Sequence, residues 1–200
     1  MSTLVLPVNL FKSVFESEKE ENAYVLGPDK FTQENLYDGK MGQTVFDATL
    51  KSVFKARDDY YIKCDHSKTQ KEYCCGYGMD SIVQDKKDSY KALTAFEVKN
   101  LSYQDRPYGT DFVRRHVLPR AEGLDCLKVL VITYKKLLTK AAIELLSQEG
   151  WTILEIGERL TYEFFKNLKK LYSLAAKIKK AIAPAQFKPI ELTSLKSQRV

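Results

Sequence analysis

The chain predicts an α/β fold built on a mixed sheet, and three observations predict it. Residues 58–100 hold three short runs rich in aromatic and β-branched residues, separated by polar stretches, which is the pattern of an antiparallel meander. Residues 128–157 read strand, amphipathic helix, strand, a βαβ unit that requires a parallel pair and a right-handed crossover. Helical periodicity flanks both regions. With 200 residues, 44% of them hydrophobic, there is material for one well-buried core and scarcely for two.

The elements follow in order. Residues 1–40 read as an N-terminal extension in which Asn9 caps "LFKSVFESEKEE", whose Leu10, Phe11, Val14 and Phe15 form one apolar stripe, and Gly27-Pro28-Asp29 ends it. The core spans residues 41–160. Its first helix is "TVFDATLKSVFKA", with Val45, Phe46, Thr49, Leu50, Val53 and Phe54 at helical spacing, and it feeds the strand "DDYYIKCD". "CGYGMDSIV" is the second strand, "DKKDSYK" a polar turn and "ALTAFEVKN" the third strand. A helix over "TDFVRRHVL" starts at Thr110 or Asp111 and stops near Pro119. "KVLVITYK" is apolar nearly throughout, as a strand covered on both faces must be. The helix "LLTKAAIELLSQE" ends at Gly150, and "WTILEIG" closes the unit. Residues 161–200 form a basic C-terminal helix and tail, in which Phe164, Phe165, Leu168, Leu171, Tyr172, Ala175 and Ile178 predict one long helix, lysine-rich elsewhere and ended by Pro184.

Charge and composition narrow the function. The net charge of +6 is concentrated at one end: residues 161–200 carry nine Lys/Arg against two Asp/Glu, and residues 1–160 carry 23 against 24. A basic terminal helix suits either contact with a polyanion or a solvated lysine face. No run of about 18 apolar residues exists, and "MSTLVLPVNLF" lacks a basic head, so an intracellular protein with no membrane span is expected. No G-x-x-x-x-G-K-[ST] loop appears, which argues against an ATPase or kinase. Cys64, Cys74, Cys75 and Cys126 lack C-x-x-C spacing, so a zinc cage with His66 is not expected; a bridge from Cys64 to Cys74 or Cys75 across a hairpin stays open. His66 and His116 have no evident partners and read as structural or surface residues.

One tripeptide carries chemistry. Glu97-Val98-Lys99 lies in a strand, so side chains 97 and 99 share a face. Asp38-Gly39-Lys40 and Asp85-Lys86-Lys87 match the same acid-x-Lys pattern but fall in expected loops. On its own Glu97-Val98-Lys99 reads better as the charge pattern of a solvated strand face. Asp80, in the preceding strand of the meander, changes that, because it is expected beside Glu97. The carboxylates of Asp80 and Glu97 with the Val98 carbonyl are hard oxygen ligands of the kind Mg²⁺ or Mn²⁺ takes, and a neighbouring lysine can orient or help deprotonate a water for attack on phosphorus.

The order helix, three-strand meander, helix, βαβ, with "DSIV" followed by "AFEVKN", resembles the PD-(D/E)XK nuclease superfamily over residues 40–160, and most closely archaeal Holliday junction resolvases. The resemblance implies a restriction-endonuclease-like core, metal ligation by Asp80 and Glu97, and assistance of the nucleophilic water by Lys99. It also implies an acid on the first helix, with Asp47 the better counterpart and Glu34 the weaker; Met79 stands where the motif has proline. The function implied is a metal-dependent DNA endonuclease acting on branched DNA, as a homodimer with one site per subunit. It also brings Arg114 and Arg115, on the helix after the meander, toward DNA, though a solvated face explains them nearly as well. The alternative is a non-catalytic nucleic-acid-binding protein on the same fold, with the basic C-terminal helix carrying the function.

Overall fold

The structure, a computed structural model, describes residues 30–54, 59–64, 78–101 and 107–183. Helix α1 (Lys30–Phe54) leads into strand β1 (Tyr60–Cys64), followed by β2 (Ser81–Asp85) and β3 (Lys91–Lys99). Helix α2 (Thr110–His116) and a 3₁₀ turn (Leu118–Ala121) precede β4 (Leu127–Ile132). Then come a second 3₁₀ turn (Lys135–Leu137), α3 (Lys140–Gln148), β5 (Trp151–Glu155), α4 (Tyr162–Lys166) and α5 (Leu168–Ile182). The expected stripe at residues 10–15, Cys74, Cys75, His66 and Pro184 lie outside the described residues.

The five strands form one sheet in the order β1-β2-β3-β4-β5. β1/β2 and β2/β3 are antiparallel, while β3/β4 and β4/β5 are parallel, as the meander and the βαβ unit require. This is an α/β protein with a mixed open sheet, and alternation along β3 divides it into two faces. Phe96 and Val98 join Val83, Val129 and Val131 against Phe46 and Leu50 of α1 and Leu171, Leu174 and Ile178 of α5. Ala95 joins Ile82, Leu130 and Ile132 against Val113 and Val117 on one side and Leu146 of α3 on the other. The rings of Phe46 and Phe96 meet at 5.2 Å between centroids and fix α1 over the middle of the sheet. No helix among the described residues is long and apolar enough to cross a membrane.

Two expectations about the helices need revision. The long C-terminal helix is broken at Asn167, which has extended backbone angles and accepts a hydrogen bond from Lys170 N at 3.3 Å, so it caps a new helix instead of continuing the old one. Thr161 does the same for α4 through Phe164 N at 3.2 Å. The hydrophobic core also reaches beyond residues 41–160: α1 begins at Lys30, and Phe164, Phe165, Leu171, Leu174, Ile178 and Ile182 belong to the same cluster as Phe46 and Phe96.

Two glycines of α1, one turn apart, have opposite surroundings. A Cβ on Gly42 would lie 2.4 Å from the Cβ of Asn100, whereas a Cβ on Gly39 would meet nothing within 4 Å. Asn100 cannot retreat easily, because its amide receives Leu160 N at 2.8 Å and donates to Leu160 O at 3.0 Å. Alanine favours a helix over glycine by about 1 kcal/mol, so Gly39→Ala is expected to raise stability by that amount. Gly42→Ala should lose more than it gains, since overpacking costs about 1–3 kcal/mol. Urea denaturation of both variants checks this, and a shift of the same sign in both would contradict it.

Candidate active site

The β2/β3 register builds the centre of the site. Ser81 pairs with Phe96, so Asp80, the residue just before β2, stands opposite Glu97. Asp80 Oδ2 accepts a hydrogen bond from Val98 N at 2.6 Å, which locks its carboxylate onto β3. Glu97 is 1% exposed, and Lys99, two residues on and on the same face, donates from Nζ to Glu97 Oε1. Burial of a carboxylate beside an ammonium is what keeps so enclosed an acid tolerable. The expected group of Asp80, Glu97 and Lys99 is therefore brought together at the carboxyl end of β3, the end of parallel strands at which α/β sheets bind ligands.

Asp47 reaches the same place from α1. It is 1% exposed, and its Oδ1 accepts a hydrogen bond from the hydroxyl of the fully buried Ser81. One turn earlier on α1, Gln43 Nε2 stands 3.5 Å from Asp80 O. Met79, in the place of the motif's proline, is buried among Ile82, Ala95 and Val117, so apolar packing anchors the entry to Asp80. The side chain of Glu34 lies outside the described residues.

Electrostatics mark Asp80 as the strained member of the group. The protein packed around it, first, and the Glu97 carboxylate, second, push its carboxyl well above the usual carboxylate range; the Val98 N–H and Lys99 pull it down, and Asp47 adds to the rise. A carboxyl that holds its proton more tightly in the folded than in the unfolded chain makes stability fall as pH rises from the ordinary carboxylate range through the folded pKa. In EDTA, Asp80→Asn removes that penalty while leaving an oxygen to accept from Val98 N. Its melting temperature is expected to exceed that of the wild type by a margin that widens from pH 4 upward, at about 2–4 °C per kcal/mol for a chain of this size. A margin that narrows with pH would mean that Asp80 is not held up in this way.

The donor set can be tested against the expected cation. Among the described residues, no three or more His, Cys, Asp or Glu side chains are placed to hold one ion together. A cation at this point would draw its protein ligands from Asp80, Glu97 and the Val98 carbonyl. Two carboxylates and a main-chain oxygen fit Mg²⁺ or Mn²⁺, which keep several waters, better than they fit zinc, which favours nitrogen and sulfur. Crowding of Asp80 by Glu97 and Asp47 gives a divalent cation charge to offset.

Three residues near the acids were not singled out in the sequence. Gln43 and Ser81 carry no motif signal, although Gln43 lies one helical turn before Asp47 and Ser81 directly follows Asp80. Arg120, from the 3₁₀ turn after α2, lies with Nε 3.9 Å from Glu97 Oε1. Arg114, Arg115 and His116 are exposed on α2. Cys126 is a half-buried free thiol whose pKa is raised to about 11, chiefly by burial, which makes it a poor nucleophile. On α5, Lys170 is paired with Glu158 and Lys177 donates to the carbonyls of Glu155 and Ile156, while Lys169, Lys179 and Lys180 remain exposed. No protein-family model, no curated protein and no solved structure matches the chain.

Proposed function

We propose that the protein is a metal-dependent endonuclease of the PD-(D/E)XK kind that hydrolyses DNA phosphodiester bonds, with branched DNA such as a Holliday junction as substrate. The observation that carries this reading is the convergence of Asp80, Glu97 and Lys99, with the Val98 N–H on the Asp80 carboxylate. Asp80, Glu97 and the Val98 carbonyl would hold Mg²⁺ or Mn²⁺. When bound, the ion supplies Lewis-acid charge that offsets the phosphate and activates water. Lys99, tethered to Glu97, presents an ammonium that orients the attacking water. Asp47, bonded to Ser81, fixes the start of β2 and so the position of Asp80. Water attacks phosphorus and gives up a proton to solvent, the bond to the departing strand breaks, and that oxygen leaves with a proton from solvent. Two strands of a junction related by a two-fold axis call for two such sites, which a symmetric homodimer provides.

Four-way junction, flap and linear duplex DNA incubated with the protein test the reading. Cleavage in Mg²⁺ or Mn²⁺ and binding without turnover in Ca²⁺ are expected, because Ca²⁺ coordinates more loosely. Undiminished cleavage in EDTA, or none of any substrate in either activating metal, would overturn it.

A further inference from the structure

We propose that Arg120 is a phosphate-binding residue of this site, its guanidinium taking an oxygen of the DNA phosphate that lies against Glu97 and Lys99. The substrate named here rests on the nuclease reading; the placement of the cation does not. Arg120 occupies the 3₁₀ turn Leu118–Ala121, whose neighbours Val117 and Ala121 are buried in the core, so its backbone is fixed beside the sheet. Its side chain is 48% exposed, and Nε stands 3.9 Å from Glu97 Oε1, beyond hydrogen-bond reach. Lys99 already bonds directly to that same oxygen. A guanidinium needed to balance Glu97 would be buried against it and bonded to it, and Arg120 is neither.

What Arg120 does touch is the backbone that leads to Asp80. Its Nη1 donates to Gly78 O at 3.3 Å. Gly78 has φ +64, a backbone conformation that glycine adopts without strain, so the turn that carries its carbonyl to Arg120 is met by this residue. The guanidinium has five N–H donors in a planar fork that matches two phosphate oxygens, and it stays charged at every working pH. One donor reaches Gly78, and the partly exposed head keeps others for a ligand. An anion entering between Lys99 and the 3₁₀ turn would meet an ammonium held by Glu97 on one side and a guanidinium held by the Gly78 carbonyl on the other.

The test uses the full chain and a four-way junction. In Ca²⁺, where binding is read without turnover, Arg120→Ala should reduce the slope of log affinity against log salt by about 0.9, as when one phosphate is no longer neutralised. In saturating Mg²⁺ the same variant should lose about 10²-fold in kcat, and Arg120→Lys should recover only part of it. The melting temperature should stay within about 2 °C of wild type, as for a partly exposed side chain. An unchanged salt slope would overturn the proposal, and so would a kcat loss cured by raising the metal concentration, which would mean that Arg120 acts only through Glu97. A wild-type protein that binds the junction but never cuts it would remove the nuclease reading while leaving the salt slope to judge Arg120.

Discussion

Glu97→Gln is expected to lower DNA cleavage at least 10³-fold while changing junction affinity in Ca²⁺ by less than about tenfold. The substitution keeps the shape of the side chain and an oxygen for Lys99 Nζ, so the local fold should survive. It removes one of the two carboxylates proposed to hold the ion and with it charge that an oxygen-liganded cation needs. Binding should be spared because phosphates held elsewhere supply most of the affinity of a DNA-binding protein. Single-turnover cleavage separates the two effects, since it reads the chemical step apart from association. Loss of binding in parallel with cleavage would place Glu97 in recognition instead, and wild-type rates would remove it from the site. Lys99→Ala should show the same separation with a smaller loss of about 10²–10⁴-fold, the range of a group that assists proton transfer.

That experiment probes the part of the site that was legible in the sequence, and the reason for its legibility is geometric. Side chains in a strand alternate, so Glu97 and Lys99 had to share a face, and a meander had to bring the strand containing Asp80 alongside β3. Register then left one position opposite Glu97, and Asp80 occupies it. Asp47 was readable only with the resemblance, because nothing local in "VFDAT" says that α1 delivers it to Ser81. Gln43 and Arg120 were not readable, for they reach the acids from separate elements whose packing is fixed by apolar side chains far from the site. The break at Asn167 was missed for another reason. The apolar periodicity carries on through it, and only the capping role of an asparagine before "LKK" signals a new helix. Setting residues 161–200 apart from the core as a basic helix and tail follows the lysines, whereas the buried stripe beneath them decides where the helix sits.

The two faces of α5 give the second large effect. Ending the chain at Gly157 is expected to abolish a cooperative thermal transition altogether, because it removes Leu160, Phe164, Phe165, Leu171, Leu174, Ile178 and Ile182, each at most 6% exposed. A single buried Leu or Ile cut to Ala costs about 2–5 kcal/mol, and a whole domain is stable by about 5–15 kcal/mol, so losing the set exceeds what the fold can absorb. The exposed lysines should behave in the opposite way. Replacing Lys169, Lys179 and Lys180 together by Gln leaves the buried stripe and the pairing of Lys170 with Glu158 untouched, and the melting temperature should stay within a few degrees. If this face meets DNA, the triple variant should flatten the salt dependence of junction binding by about 0.9 for each phosphate that these lysines neutralise. Circular dichroism reads the first outcome and salt titration the second. A well-folded truncated chain would show that the core closes without α5, and a triple variant with unaltered salt dependence would confine DNA binding to the side of the sheet that carries Lys99 and Arg120.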